Sequence, residues 1–322
     1  MKRWLRALFT ALMATFAFMA PHAFAETPTQ SVLAKIDATP ALWTVHGPKG
    51  TAYLFGSIHI LPPNMEWHTP QVAAALKASD TFVFEIPMDD STQTHIADFV
   101  RDNAFLPKNQ SLPSLLNDEA RKDYRDVLAL THASPDRLVD KRPWFAALVL
   151  DVSYMGQRHL SPDAGVDKQV YKEALAAGGK SFRAFETPEE QFRLLMPDDR
   201  DLEIKEFDAN LKEILKDKGV VGNMIDAWAH GDVKTLGHLM NDDLKADPKM
   251  EKALFEDRNA KWVAKISAML NESHTYFITV GAGHLAGPKG VPAMLRARGF
   301  KVDGPESGIA ALPHSPKMRP RL

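Results

Sequence analysis

The sequence contains no cysteine. That absence removes a thiol nucleophile, a disulfide framework, a cysteine-ligated zinc site and a lipidated N-terminal cysteine, so an ordinary apolar core has to hold the fold. There is also no G-x-S-x-G elbow and no phosphate-cradling glycine loop, so the serine-elbow hydrolases and the nucleotide-binding folds lack their sequence signatures here. An excess of one charge is missing as well: 39 Lys and Arg stand against 41 Asp and Glu, a formal net charge of −2. Such a balance gives nucleic acid or an anionic membrane no electrostatic attraction as a partner.

Long apolar runs are confined to the first residues. Lys2, Arg3 and Arg6 precede the apolar run Ala7–Met19, and Ala23-Phe24-Ala25 then supplies an A-x-A cleavage site. The run is shorter than the roughly 20 residues of a spanning helix. Residues 1–25 are therefore expected to be a cleaved secretory signal. The mature chain would start at Glu26, in the periplasm or secreted, with no membrane span left. Cleavage removes three basic residues and no acidic ones, leaving 36 against 41. The remainder is long enough to bury a sizeable core as one large domain or two small ones.

Two stretches more than two hundred residues apart organise what is present. Thr51–Pro63, TAYLFGSIHILPP, and Tyr276–Gly287, YFITVGAGHLAG, each run as a short β-branched, aromatic or aliphatic strand into Gly-x-x-His. Glycine allows a sharp turn where a strand stops, so His59 and His284 are expected to project from strand carboxyl ends. Between them the pattern predicts strands at Ala41–His46, Thr81–Ile86 and Ser181–Phe185, a loop over Leu61–Thr69, and helices at Pro70–Ala78, Pro143–Tyr154 and Val166–Ala177. A capped helix is expected after Thr187-Pro188-Glu189-Glu190, helix again from Asp201 to Asn271 and at Gly290–Arg298, and a last strand at Gly299–Val302. The fold class that follows is α/β: a mixed central sheet flanked by helices, with a mainly helical insertion at about 91–155 in a domain spanning 26–304. The Pro-containing, basic residues 305–322 read as a disordered tail.

In open α/β sheets ligands bind beyond the carboxyl ends of the strands, and four ionisable residues fall there: His59, Glu85, Glu186 and His284. Imidazoles and carboxylates are standard ligands for zinc or manganese, and three of them with an open position would activate a water. The same residues also suit helix caps or a solvated rim. Glu85, in the nearly all-apolar TFVFEI, has to be ion-paired, metal-bound or protonated. Arg258 stands four residues from both Leu254 and Trp262, on one helical face, and is either paired with a buried acid or aimed at a substrate carboxylate or oxyanion. Asn259 beside it suits either task. Ser57 is a further hydroxyl donor, and the remaining histidines fit solvated or capping roles.

These residues lie in a set of motifs that resembles the TraB/GumN family, which includes the TIKI proteases and is related to the erythromycin esterases and the ChaN-type haem-binding proteins. The set comprises LFGSIHILP, Phe84-Glu85, Gly165–Asp167, the FETPEEQ at Phe185–Gln191, the RNAKW at Arg258–Trp262 and the VGAGHLAGPKGV at Val280–Val291. The resemblance implies His59, Glu85 and His284 as ligands of a divalent metal, Mn²⁺ favoured with Co²⁺ or Zn²⁺ as further candidates. It also implies Glu85, Arg258 and Asn259 as catalytic or supporting residues, and Glu186 as a matching carboxylate. One departure is Pro87, where an acidic residue is expected. The implied function is an exported metal-dependent hydrolase acting on a peptide or a small ester or amide. The alternatives are a haem-type ligand-binding protein or a non-catalytic scaffold using the same cleft, and a metal-free esterase with a histidine base. Whether the insertion is a lid or the surface of a homodimer is left open.

Overall fold

The structure, a computed structural model, describes residues 34–306 apart from 198, 218 and 242–247. The expected signal and all but the first two residues of the expected tail lie outside the described residues. The strands, in chain order, are β1 (Ile36–Asp37), β2 (Leu42–His46), β3 (Thr51–Ser57), β4 (Met65–Glu66), β5 (Thr81–Phe84), β6 (Ser181–Ala184), β7 (Thr275–Gly281) and β8 (Lys301–Asp303). Six of them form one mixed sheet in the order β6-β5-β7-β3-β2-β8. The run from β6 to β3 is parallel throughout, while β2 is antiparallel to both its neighbours.

The order follows from burial. β3, β5 and β7 are β-branched or aromatic with both faces covered, as parallel central strands require. Alternation then assigns their side chains to two layers. Phe55, Phe82 and Phe277 enter one core with Trp67, while Leu54, Val83 and Ile278 enter a second with Trp262 and Ile266. The three phenylalanine rings lie 5.8 and 5.9 Å apart in sequence Phe55–Phe277–Phe82, and truncating any one to Ala costs about 3–5 kcal/mol.

Helices cover both faces. Pro70–Ala78 begins at Thr69, whose Oγ1 accepts from the Val72 N–H at 3.2 Å. Pro188–Leu195 begins with the reciprocal bonds of Thr187 and Glu190, at 3.2 and 2.9 Å. The helical region runs from Asp90 to Gln157, and a later helix, Arg200–Lys216, packs against its helices Asp118–Thr131 and Pro143–Gln157. Phe207 meets Tyr124 there with ring centroids 5.8 Å apart.

Two local expectations are corrected. The stretch Leu61–Thr69, read as loop, contains β4, which pairs in parallel with β1 in a separate two-stranded sheet. The run read as helix from Asp201 to Asn271 is broken, and one of its pieces, Lys252–Glu256, is a π-turn continuing into the helix Asp257–Met269.

Candidate functional site

The parallel order β6-β5-β7-β3 sets four strand ends side by side, and they carry Glu186, Glu85, His284 and His59 in that order. All four expected residues therefore meet on one edge, and Arg258 and Asn259 reach it from the first turn of the helix Asp257–Met269. Four of the residues are closed to solvent, Glu85 at 6 % exposure, His59 and Arg258 at 4 % and His284 at 0 %, while Glu186 is partly buried.

His59 is held by a residue from a distant segment. The chain passes so close at Gly165 that a Cβ there would meet the His59 carbonyl oxygen at 2.2 Å, so only glycine allows the approach. The Val166 N–H donates to the Ile58 carbonyl at 3.2 Å, and the next residue, Asp167, lays its carboxylate on the imidazole. Asp167 Oδ1 lies 2.6 Å from His59 Nδ1 and accepts from Ser57 Oγ at 2.5 Å. The Ser57 hydroxyl thus points to Asp167 on the Nδ1 side of the ring, 3.3 Å from that nitrogen, and is not arranged as a nucleophile for Nε2. His59 Nε2 is buried with no hydrogen-bond partner.

The other half of the site is saturated. Glu85 Oε1 accepts from the Gly281 N–H at 2.7 Å, and its Oε2 accepts from Gln191 at 2.7 Å and Arg258 at 2.8 Å. Glu186 takes Arg258 Nε and Nη2, each at 2.8 Å, and the Trp262 indole N–H at 2.8 Å. Arg258 Nη1 donates to the Leu254 carbonyl at 3.2 Å and to His284 Nε2 at 3.0 Å. A guanidinium has five N–H donors, and all are taken here. Arg258 consequently has none left for an oxyanion, and of the two roles the sequence left open, pairing with buried acid is the one the geometry shows. Because arginine can only donate, His284 Nε2 is the acceptor and its proton sits on Nδ1, which donates to Asn259 Oδ1 at 2.6 Å. Asn259 in turn donates to the Lys289 carbonyl at 2.8 Å.

Electrostatics separate the two histidines. Burial alone would lower His59, but Asp167, with help from Glu85, outweighs it and raises the imidazole above its ordinary value. Burial works against an ionised Asp167 too, yet His59 and the Ser57 hydroxyl hold it below the usual carboxylate range. His284 is pushed far down by burial, then by Arg258 and His59, and stays neutral. Burial, with the neighbouring Glu186, raises Glu85 against the pull of Arg258.

A metal ion would find much of this donor set occupied. His284 Nε2 and both Glu85 oxygens are engaged by donors, and the guanidinium of Arg258 stands where a cation would balance the carboxylates. Among the described residues no group of three or more His, Asp or Glu side chains is arranged to hold a metal. The expected triad of His59, Glu85 and His284 is thus gathered but not presented as ligands. A haem iron would find both nitrogens of His284 bonded, and His59 Nε2 is the one imidazole nitrogen of the two residues that has no partner.

The sequence reading gave no role to Asp167 or Gln191, although both lay within quoted motifs. The signal for Asp167 was Gly165, a glycine directly before a helix, which marks a close backbone approach. Of the other histidines, His46, His68, His230 and His274 are exposed, each with a ring nitrogen 2.7–3.3 Å from a carboxylate, of Asp303, Glu173, Asp226 and Asp80 respectively.

In comparison with known proteins, the family described as TraB/PrgY/gumN aligns with residues 41–304. The chain is 24 % identical over 260 residues to the uncharacterized protein YbaP of Shigella flexneri, covering 76 % of this chain and 88 % of that protein. It is 24 % identical over 259 residues to the uncharacterized protein YbaP of Escherichia coli (strain K12), covering 76 % and 87 %. No solved structure gives a significant match.

Proposed function

This chain belongs to the TraB/PrgY/gumN family, and on that premise we propose that it is a hydrolase of peptide, ester or amide carbonyls in which His59 is the general base. The observation that carries the reading is His59 itself: Nδ1 lies on the Asp167 carboxylate, while Nε2 is buried and unpartnered. A neutral imidazole in this tautomer presents a lone pair at Nε2. It takes a proton from a water as the water oxygen bonds to the substrate carbonyl carbon. Asp167 stabilises the imidazolium that forms, and the imidazolium returns the proton to the leaving oxygen or nitrogen. Arg258, Glu186, Glu85, His284 and Asn259 form the hydrogen-bonded floor that fixes the site. No step is routed through a metal, because His284 Nε2 and both Glu85 oxygens are already engaged.

The test is hydrolysis of an ester and peptide panel by the wild type and His59→Ala, with and without chelator. The expected result is a loss of about 10²–10⁴ in kcat/KM on removing the base, and no loss with chelator. Full hydrolysis by His59→Ala would overturn the reading; activity lost to chelator and restored by Mn²⁺ would return it to the metal-dependent form. Export is part of the same proposal, and a mature N-terminus at Glu26 in the periplasmic fraction is its expected outcome.

A further inference from the structure

His59, His284 and Arg258 are enclosed, so any substrate has to displace part of the protein, and the packing identifies which part. The strand ends belong to the two large cores. The π-turn Lys252–Glu256 does not: its two buried side chains, Leu254 and Phe255, form a separate small cluster with the partly buried Leu194 and Met250. Its outer residues Lys252 and Ala253 are exposed, as is the adjoining Asp257, while the inner Phe255 ring lies 4.8 Å from the His284 ring. One turn of chain therefore separates His284 from solvent on this side. A single π-turn also breaks the regular i→i−4 ladder, and such turns concentrate at functional sites. On its outer side the turn is held by Lys289, which pairs with Glu251 and Glu256 at its two ends, and by Lys252 with Asp257, and such solvated pairs hold weakly; inside, one hydrogen bond from Arg258 Nη1 to the Leu254 carbonyl holds it.

We propose that Lys252–Glu256 is the movable entrance to the site, and that an apolar group of the substrate takes the place of the Phe255 ring against His284 and Trp262. The pocket left when the turn carries Phe255 out is walled by the Trp262 ring, 4.3 Å from His284, and by Leu194, so it selects an aliphatic or aromatic group next to the scissile carbonyl. This rests on the hydrolase reading for the word substrate, though not for the binding itself.

The experiment uses two homologous series on the wild type, Phe255→Ala and the conservative Phe255→Leu. Straight-chain methyl ketones from acetone to 2-nonanone report binding without turnover, and p-nitrophenyl esters from acetate to octanoate report turnover. In the wild type, affinity rises about fourfold per added methylene until the pocket is filled. Amide hydrogen exchange in 252–256 is faster than in the helix that follows, and faster still with 2-nonanone bound. In Phe255→Ala the short esters react faster and the gain per methylene flattens, while Phe255→Leu keeps most of it. Ketone affinity independent of chain length, or a slope unchanged in both variants, overturns the inference whether or not esters are hydrolysed. Chain-length-dependent ketone binding without any hydrolysis supports the entrance and sinks the hydrolase reading instead.

Discussion

Glu85 and Glu186 at the strand ends and Asp151 in the helical region are carboxylates taken out of water, yet the two regions manage the cost in opposite ways. At the strand ends one guanidinium serves both acids, and Gln191, Trp262 and the Gly281 N–H complete their hydrogen bonds. Asp151, 1 % exposed, takes part in no ion pair among the described residues. Its oxygens lie 3.0 and 3.1 Å from Asn210 Nδ2, and Glu213 adds like charge. Burial pushes its pKa up to about 8, so Asp151 is largely protonated at neutral pH. On the helix Arg200–Lys216 packed against that region, Glu203, equally buried, follows the first strategy through Arg142 and Arg200. A buried acid is thus either matched by a cation in a fixed network or neutralised by its own proton. Only the first leaves charge in place for chemistry.

Breaking the matched network has the largest expected effect. Arg258→Met strands two carboxylates without a counter-charge and costs about 3–5 kcal/mol, read as a drop in the urea midpoint. Asp151→Asn acts in the opposite direction. The Asp151 pKa of the folded chain, about 8, lies above the ordinary 3.8, so the folded state holds its proton where the unfolded chain has released it. Stability therefore declines as pH rises through that window. The asparagine variant escapes this, gaining about 5 kcal/mol over the wild type at pH 8 and less than about 1 kcal/mol at pH 4. An equal effect at both pH values would show that Asp151 is not neutralised by its proton. The smallest change sharpens the picture of the floor: Asn259→Ala leaves the His284 Nδ1–H without its acceptor and costs about 1–2 kcal/mol, with the fold retained by circular dichroism.

The strand ends were legible because both Gly-x-x-His runs carry their own signal: an apolar strand, a glycine, then a polar residue that the core cannot accept. Glu85 was legible for the same reason, as a lone acid in TFVFEI. The internal wiring was not legible. Arg258 looked equally suited to substrate and to buried acid, and only the convergence of five acceptors on its five donors decides between them. Asp167 meets His59 across more than a hundred residues, by a contact of backbone on backbone at Gly165 that leaves no periodicity in the sequence. The π-turn at 252–256 was invisible too, since its residues read as ordinary helix and nothing local marks the ring of Phe255 that lies 4.8 Å from His284.

The account turns on His59 being an Asp167-held base beside a floor whose cation is Arg258. Histidine-selective ¹⁵N labelling, followed by an NMR pH titration with and without Mn²⁺, addresses it most directly. The account predicts that His59 titrates above pH 6.5, that its pKa falls in Asp167→Asn, that His284 stays neutral with its proton on Nδ1, and that neither resonance is broadened by stoichiometric Mn²⁺. A His59 that titrates below 6.5, or broadening of both histidines by one equivalent of Mn²⁺, would contradict it.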